Sequence, residues 1–167
     1  PALLREERWL IFHLNLAQDP PILRVDCRAL ISQRAKSMLQ NGESVRYVFT
    51  VNRELMRDFM TTFDDWTLLH CNDEYARRVG FERTPVQGAL ISAIIVKAIV
   101  LGFGDSAILR VHNLEFFKPV YPGDTIIVEL FVLTNLRNQL VSLRSRVYIG
   151  ETLHYQGMTK IRAFENI

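Results

Sequence analysis

The segment from Ala89 to Leu101 holds one charge, Lys97, and one hydroxyl, Ser92, among residues that are otherwise apolar or alanine. Wound into a helix it is apolar on nearly every side, so it has no face to leave in water and the rest of the chain has to enclose it. It is shorter than the ~20 apolar residues that a membrane-spanning helix requires. The segment therefore reads as a buried core helix, opened by Gly88 and closed by Gly102 and Gly104.

What encloses it is written in the flanking periodicity. Val45, Tyr47, Phe49 and Val51 alternate with Ser44, Arg46, Val48 and Thr50, which is a strand. After the helix, strands are expected at about Ala107 to Phe117, Thr125 to Asn135, Leu140 to Ile149 and Thr152 to Arg162. Between the first strand and the helix, Asn52 caps a helix over Leu55, Met56, Phe59 and Met60, and Asn72-Asp73 opens a short one that Gly80 ends. One strand, a core helix and an antiparallel meander can bury that helix only if the sheet curls around it. The expected class is α+β, a hot-dog fold with an antiparallel sheet wrapped around a long central helix.

Before residue 42 the pattern differs. Leu3 to Leu16 reads as a helix stopped by Pro20-Pro21, and Asp26 caps a second run through Leu39 that Asn41-Gly42 ends. The division is a helical N-terminal extension over 1–42 and a hot-dog domain over 43–167. At 167 residues, 49% of them hydrophobic, the chain suits one sizeable core. A single curled sheet leaves an edge strand and the ends of its helix poorly covered, so a second hot-dog unit is expected as partner.

Composition narrows function. A net charge of +2 from 20 basic and 18 acidic residues spread along the chain does not favour dedicated nucleic-acid binding, and no membrane partner is expected. Cys27 and Cys71 have no CxxC or Cys-His spacing, so neither a metal site nor a disulfide framework is read. The start carries no secretory-signal pattern, and an intracellular location, mitochondrial matrix or cytoplasm, is expected.

Chemistry concentrates in Asp65-Trp66-Thr67-Leu68-Leu69-His70, with Gly88 eighteen residues after the histidine. A carboxylate and an imidazole can hold and activate water, while a helix N-terminus can polarise a carbonyl that approaches closely where there is no Cβ. Taken singly, Asp65 reads as a turn or cap residue and His70 as a semi-buried histidine; spacing and setting make the pair a candidate. Ser92, one turn into the helix, is a substrate-side candidate or bonds back into its own helix. Gln87 reads as a loop contact. His13, His112 and His154 read as structural or exposed, and Trp9, Trp66 and Phe116-Phe117 as core or interface aromatics. Arg77-Arg78 and Arg83 suit the phosphates of a carrier, or form a solvated face.

Over roughly Val45 to Arg162 these motifs resemble the MaoC-like family of (R)-specific enoyl-CoA hydratases and 3-hydroxyacyl-thioester dehydratases. The resemblance is carried by Asp65 and His70 at the family spacing, Asn72-Asp73-Glu74-Tyr75-Ala76, Gly80-Phe81, the Gly88 helix start and Phe116-Phe117-Lys118-Pro119-Val120-Tyr121-Pro122-Gly123-Asp124. Thr67-Leu68 stands where the family has Asn-Pro, Gln87 where it commonly has histidine, and Asp64 where it has glycine. The resemblance implies reversible hydration of a 2-enoyl thioester in fatty-acid metabolism. Asp65 and His70 would be catalytic, Gly88 and Ser92 would serve the carbonyl and substrate, and no metal or redox cofactor would be needed. The substrate would be carried on coenzyme A or phosphopantetheine, and the protein would be a homodimer or sit in a larger assembly. Two other readings are an inactive hot-dog subunit of a large assembly and an acyl-thioesterase.

Overall fold

The structure, a computed structural model, describes residues 11–14, 39–135 and 139–163. Strand β1 is Ile11–Leu14 and β2 is Ser44–Thr50. Helices α1 (Arg53–Phe63), α2 (Leu68–Cys71), α3 (Asp73–Arg78) and α4 (Gly88–Phe103) follow, then strands β3 (Ile108–Phe116), β4 (Thr125–Asn135), β5 (Leu140–Ile149) and β6 (Thr152–Arg162). The strands form one sheet in the order β1-β2-β4-β5-β6-β3. From β2 to β3 every pairing is antiparallel, and the α+β hot-dog architecture is the one expected.

The inner face of this sheet meets α4 in one core. Phe49, Ile126, Leu130, Leu143 and Ile161 from the strands are fully buried with Ile91 and Ile95 from the helix. The strand pattern explains this: Val141, Leu143, Ser145 and Val147 are buried while Ser142, Arg144 and Arg146 are half-buried. Ser145 satisfies its hydroxyl on this apolar face by bonding Thr159 at 3.1 Å, and Thr159 in turn meets His112 Nδ1 at 2.8 Å.

Enclosure of α4 by its own chain is incomplete. Leu90, Ile91, Ile94, Ile95, Ala98 and Ile99 are buried, but Ala89 and Ala93 are exposed and Ser92, Val96 and Val100 are half-buried along one stripe. Strand β3 occupies the opposite sheet edge from β1 and exposes Ile108, Leu109 and Val111.

The extension differs from expectation where it is described. A helix was expected over Leu3 to Leu16, yet Ile11–Leu14 is a strand, parallel to β2 with Ile11 opposite Arg46 and Leu14 opposite Phe49. A short apolar run has no decisive period of its own. The unpaired N–H and C=O groups along β2 reward an extended neighbour, and that tips the choice. The rest of that segment, and the second expected helix up to residue 38, lie outside the described residues. Leu39 is not helical; it packs on the core, and its carbonyl accepts from the Asn135 side chain at 3.0 Å. Among the described residues no helix is long and apolar enough to cross a membrane.

Candidate active site

Helix α1 delivers the acidic residue. Asn52 accepts from the Leu55 N–H at 2.8 Å and starts the helix, and Asp64 ends it in the left-handed region at φ 53°. Aspartate tolerates that conformation better than most residues with a Cβ, so Asp64 forms the turn a glycine would form. The Asp65 N–H then bonds back to the Met60 carbonyl at 3.0 Å. The half-buried Asp65 accepts a hydrogen bond from the Thr67 hydroxyl at 3.1 Å, so Thr67 supplies a donor where the family pattern has Asn.

Thr67 also begins α2, and His70 lies in that one-turn helix, half-buried. Its Nδ1 lies 2.8 Å from the Pro85 carbonyl oxygen. A carbonyl only accepts, so Nδ1 carries the proton and Nε2 keeps a lone pair, which is the tautomer of a general base.

The 84–87 loop that holds His70 is itself buried and pinned from both sides. Asp73, at the start of α3, accepts from the Thr84 N–H at 2.8 Å, and the Val86 N–H bonds the Val120 carbonyl at 2.8 Å. The backbone N–H and hydroxyl of Thr84, helped by Arg77 and Arg53, hold the Asp73 carboxyl below the usual carboxylate range. Thus the Asp65–His70 turn, α3 and the entry to α4 form one braced unit.

Gly88 stands at the first turn of the sixteen-residue α4. The space a Cβ would take is filled by the Phe116 ring, whose Cε1 lies 2.7 Å from that position. Gly88 thus admits a side chain of its own protein rather than open space, and Phe116 itself is 56% exposed and edge-on to Tyr155 at 4.9 Å. Burial and the nearby Asp124 charge push the Tyr155 phenol up to about 12. Gln87, the residue before Gly88, is 1% exposed and makes no side-chain cap, and among the described residues neither polar atom of its carboxamide has a partner. An unpaired buried amide costs about 1–3 kcal/mol, which a loop contact alone does not explain. Ser92 lies one turn further, half-buried on the incompletely covered side of α4.

His70 lines a cleft of about 390 Å³ between α1 and the α2–α3 turn. Met56, Met60 and Trp66 give it apolar walls, and Arg53 and Arg57 give it positive charge. Asp65, Gly88 and Ser92 are not part of that lining. His70 is tied to the α4 entry through Pro85, whereas Asp65 is held within its own turn by Thr67. Trp66, expected in a core or interface, is 51% exposed here, and Phe116 and Phe117 are exposed as well. Arg83 lies over the Tyr121 ring at 5.0 Å and Arg78 over Tyr75 at 5.8 Å, so both guanidinium groups already face an aromatic.

Sequence reasoning missed the braces and the cleft charges. Asp73–Thr84 and His70–Pro85 join residues eleven and fifteen apart through the fold, which no local pattern announces. Arg53 and Arg57 were legible: four apart, they share a face of α1 beside Met56 and Met60.

A family model described as the MaoC like domain matches residues 37–147. The chain belongs to the MaoC-like domain family. Within it, the chain is 30% identical over 116 residues to a mitochondrial 3-hydroxyacyl-[acyl-carrier-protein] dehydratase of Arabidopsis thaliana, covering 68% of this chain and 69% of that protein. It is also 30% identical over 70 residues to the peroxisomal enoyl-CoA hydratase 2 of the same plant, spanning 41% of this chain but only 23% of that longer protein. Among solved structures, this MaoC-like domain superposes on the R-hydratase PhaJ1 of Pseudomonas aeruginosa with a TM-score of 0.69 and 27% identity, over 77% of this chain and 84% of the other. The (R)-hydratase from A. caviae superposes with a TM-score of 0.68 and 25% identity, over 75% and 98%.

Proposed function

We propose that the protein is an (R)-specific 3-hydroxyacyl-thioester dehydratase of fatty-acid metabolism, equally a 2-enoyl-thioester hydratase in reverse. The observation that carries this is the 2.8 Å contact of His70 Nδ1 with the Pro85 carbonyl, which leaves Nε2 to face a substrate, beside the entry to α4 and five residues from a fixed carboxylate. The Arabidopsis dehydratase and the two (R)-hydratases support the same reaction class.

In hydration, Asp65 and His70 hold a water against the β-carbon. As its oxygen bonds that carbon, its proton passes to His70 Nε2 and the double-bond electrons move toward the thioester oxygen. Backbone N–H groups at the start of α4, Gly88 among them, steady that developing charge. A proton returned by the pair to the α-carbon completes the addition of one water. In this reading the carbonyl reaches Gly88 once the Phe116 ring moves aside, and Ser92, one turn further along α4, meets the substrate. The chemistry is acid–base throughout, and the chain to be hydrated is carried on coenzyme A or phosphopantetheine.

A second copy, or another hot-dog unit, covers the α4 stripe and the β3 edge in this reading. Solved complexes with the same fold include ChsH1-ChsH2 of Mycobacterium tuberculosis, with a TM-score of 0.69 at 15% identity. The name of the mitochondrial Arabidopsis relative supports a mitochondrial location in this reading. The test is hydration of crotonyl-CoA by purified protein, lost in Asp65→Asn and in His70→Ala. Unchanged turnover in both variants rejects the assignment.

One observation favours a second reading, a catalytically silent hot-dog subunit: the Phe116 ring already fills the approach to Gly88. Inertness toward every enoyl thioester, with the native protein found only in a large particle, would select it. A thioesterase would instead release free thiol from an acyl-CoA.

A further inference from the structure

The cleft beside His70 combines apolar walls with two arginines at its border. Met56 and Met60 are buried side chains of α1 that form its wall, and the Trp66 indole stands exposed beside them. Arg53 and Arg57 lie on the same face of α1, one turn apart, and both border the space. Among the described residues neither takes part in a salt bridge, the one present being Arg46–Glu129 at 3.3 Å. The acidic group in the cleft, Asp73, has its charge answered first by the Thr84 N–H and hydroxyl, with smaller attractions from Arg77 and Arg53. Two guanidinium groups one helical turn apart beside an exposed indole can meet the two free oxygens of a phosphodiester, which carries a single negative charge.

We infer that Arg53 and Arg57 seat the phosphate of the phosphopantetheine arm that carries the acyl thioester, with the arm laid along Met56, Met60 and Trp66. This rests on the thioester reading above and adds to it the end of the substrate that enters beside α1. The phosphate is common to coenzyme A and to a carrier protein's prosthetic arm. Arg78 and Arg83 each lie over a tyrosine ring and do not line this cleft.

The experiment compares one enoyl chain on three carriers: coenzyme A, a phosphopantetheinylated acyl-carrier protein and pantetheine without phosphate. In the double variant Arg53→Gln/Arg57→Gln, the kcat/KM preference for the phosphate-bearing carriers over pantetheine falls about tenfold, because charge-assisted bonds to phosphate are lost. A ratio between substrates cancels any general loss of folded enzyme. In the wild-type protein the same preference shrinks as salt is raised. Loss confined to coenzyme A, or to the carrier protein, identifies which source the site serves. An unchanged preference in the double variant, or its loss on Arg78→Gln/Arg83→Gln instead, overturns the inference.

A second arm does not need turnover. Free coenzyme A and 4′-phosphopantetheine quench the Trp66 fluorescence of the wild-type protein, identified by its absence in Trp66→Phe, and pantetheine quenches it about tenfold more weakly. Arginine-dependent binding without hydration of any thioester would keep this site and sink the dehydratase reading. Hydration with no arginine-dependent discrimination between carriers would do the reverse.

Discussion

His70 is oriented by a carbonyl that is itself held in place, and the strength of that arrangement lies in Asp73. The carboxylate accepts the Thr84 N–H one residue before Pro85, so losing its charge loosens the loop that fixes the imidazole. Its folded pKa lies below the ordinary value of 3.8, so the ionised form is favoured by folding. The contribution is complete above about pH 4 and disappears as pH falls through the lowered folded value. Melting temperature measured against pH should therefore fall more steeply below pH 4 in the wild-type protein than in Asp73→Asn. His112 acts in a separate window: burial lowers its pKa from 6.5, so its contribution begins to fade as pH drops below that value. Parallel curves for wild type and Asp73→Asn below pH 4 would show that the Asp73 charge adds no stability to the Thr84 clamp.

Among the elements, β6 and β3 meet at a point where only glycine fits. A Cβ on Gly157 would collide with the backbone carbonyl oxygen of Asn113, and Leu114 Cδ2 lies 2.7 Å from the same position. Backbone cannot rotate away as a side-chain tip can, so Gly157→Ala has to displace β3 from the sheet. A loss of about 2–4 kcal/mol in urea unfolding is expected, with the outer strand exchanging its amide hydrogens faster than β4 and β5. A loss below about 0.5 kcal/mol, the range of ordinary surface substitutions, would show that the strands shift without strain. The sequence signals this close approach only through Gly157 itself, a glycine inside an otherwise regular strand. The strands themselves were legible because alternation marks both ends: β4 and β6 run over the residues that the pattern predicts. The Asn52 and Asn72 caps were legible because capping is local chemistry. β1 was not, since four residues become a strand through the open edge beside them and not through their own period. The same division runs through the site. Asp65 and His70 are recognised by spacing, but the Phe116 ring over Gly88 comes from a strand that begins after α4 has ended.

At the scale of the molecule, two surfaces are unfinished: α4 leaves a stripe of Ala89, Ala93, Val96 and Val100 open, and β3, against which α4 also packs, is an edge strand whose apolar residues are exposed. Small side chains on the helix allow close approach of another helix, and the free backbone groups of β3 can continue the ladder into a second sheet. Two-fold pairing satisfies both at once, since each copy offers the same helix stripe and the same edge. Stable pairs of proteins bury about 1,200–2,000 Å² in total, which a strand edge and a helix face together can supply. Purified protein should therefore sediment with the mass of two chains at micromolar concentration. Ala93→Arg puts a long charged side chain in the middle of the stripe without touching the buried face of α4, so it should shift the mass toward one chain while leaving the circular dichroism of the fold intact. A dimer of unchanged affinity in that variant would place the interface elsewhere and leave the exposed helix stripe to another partner.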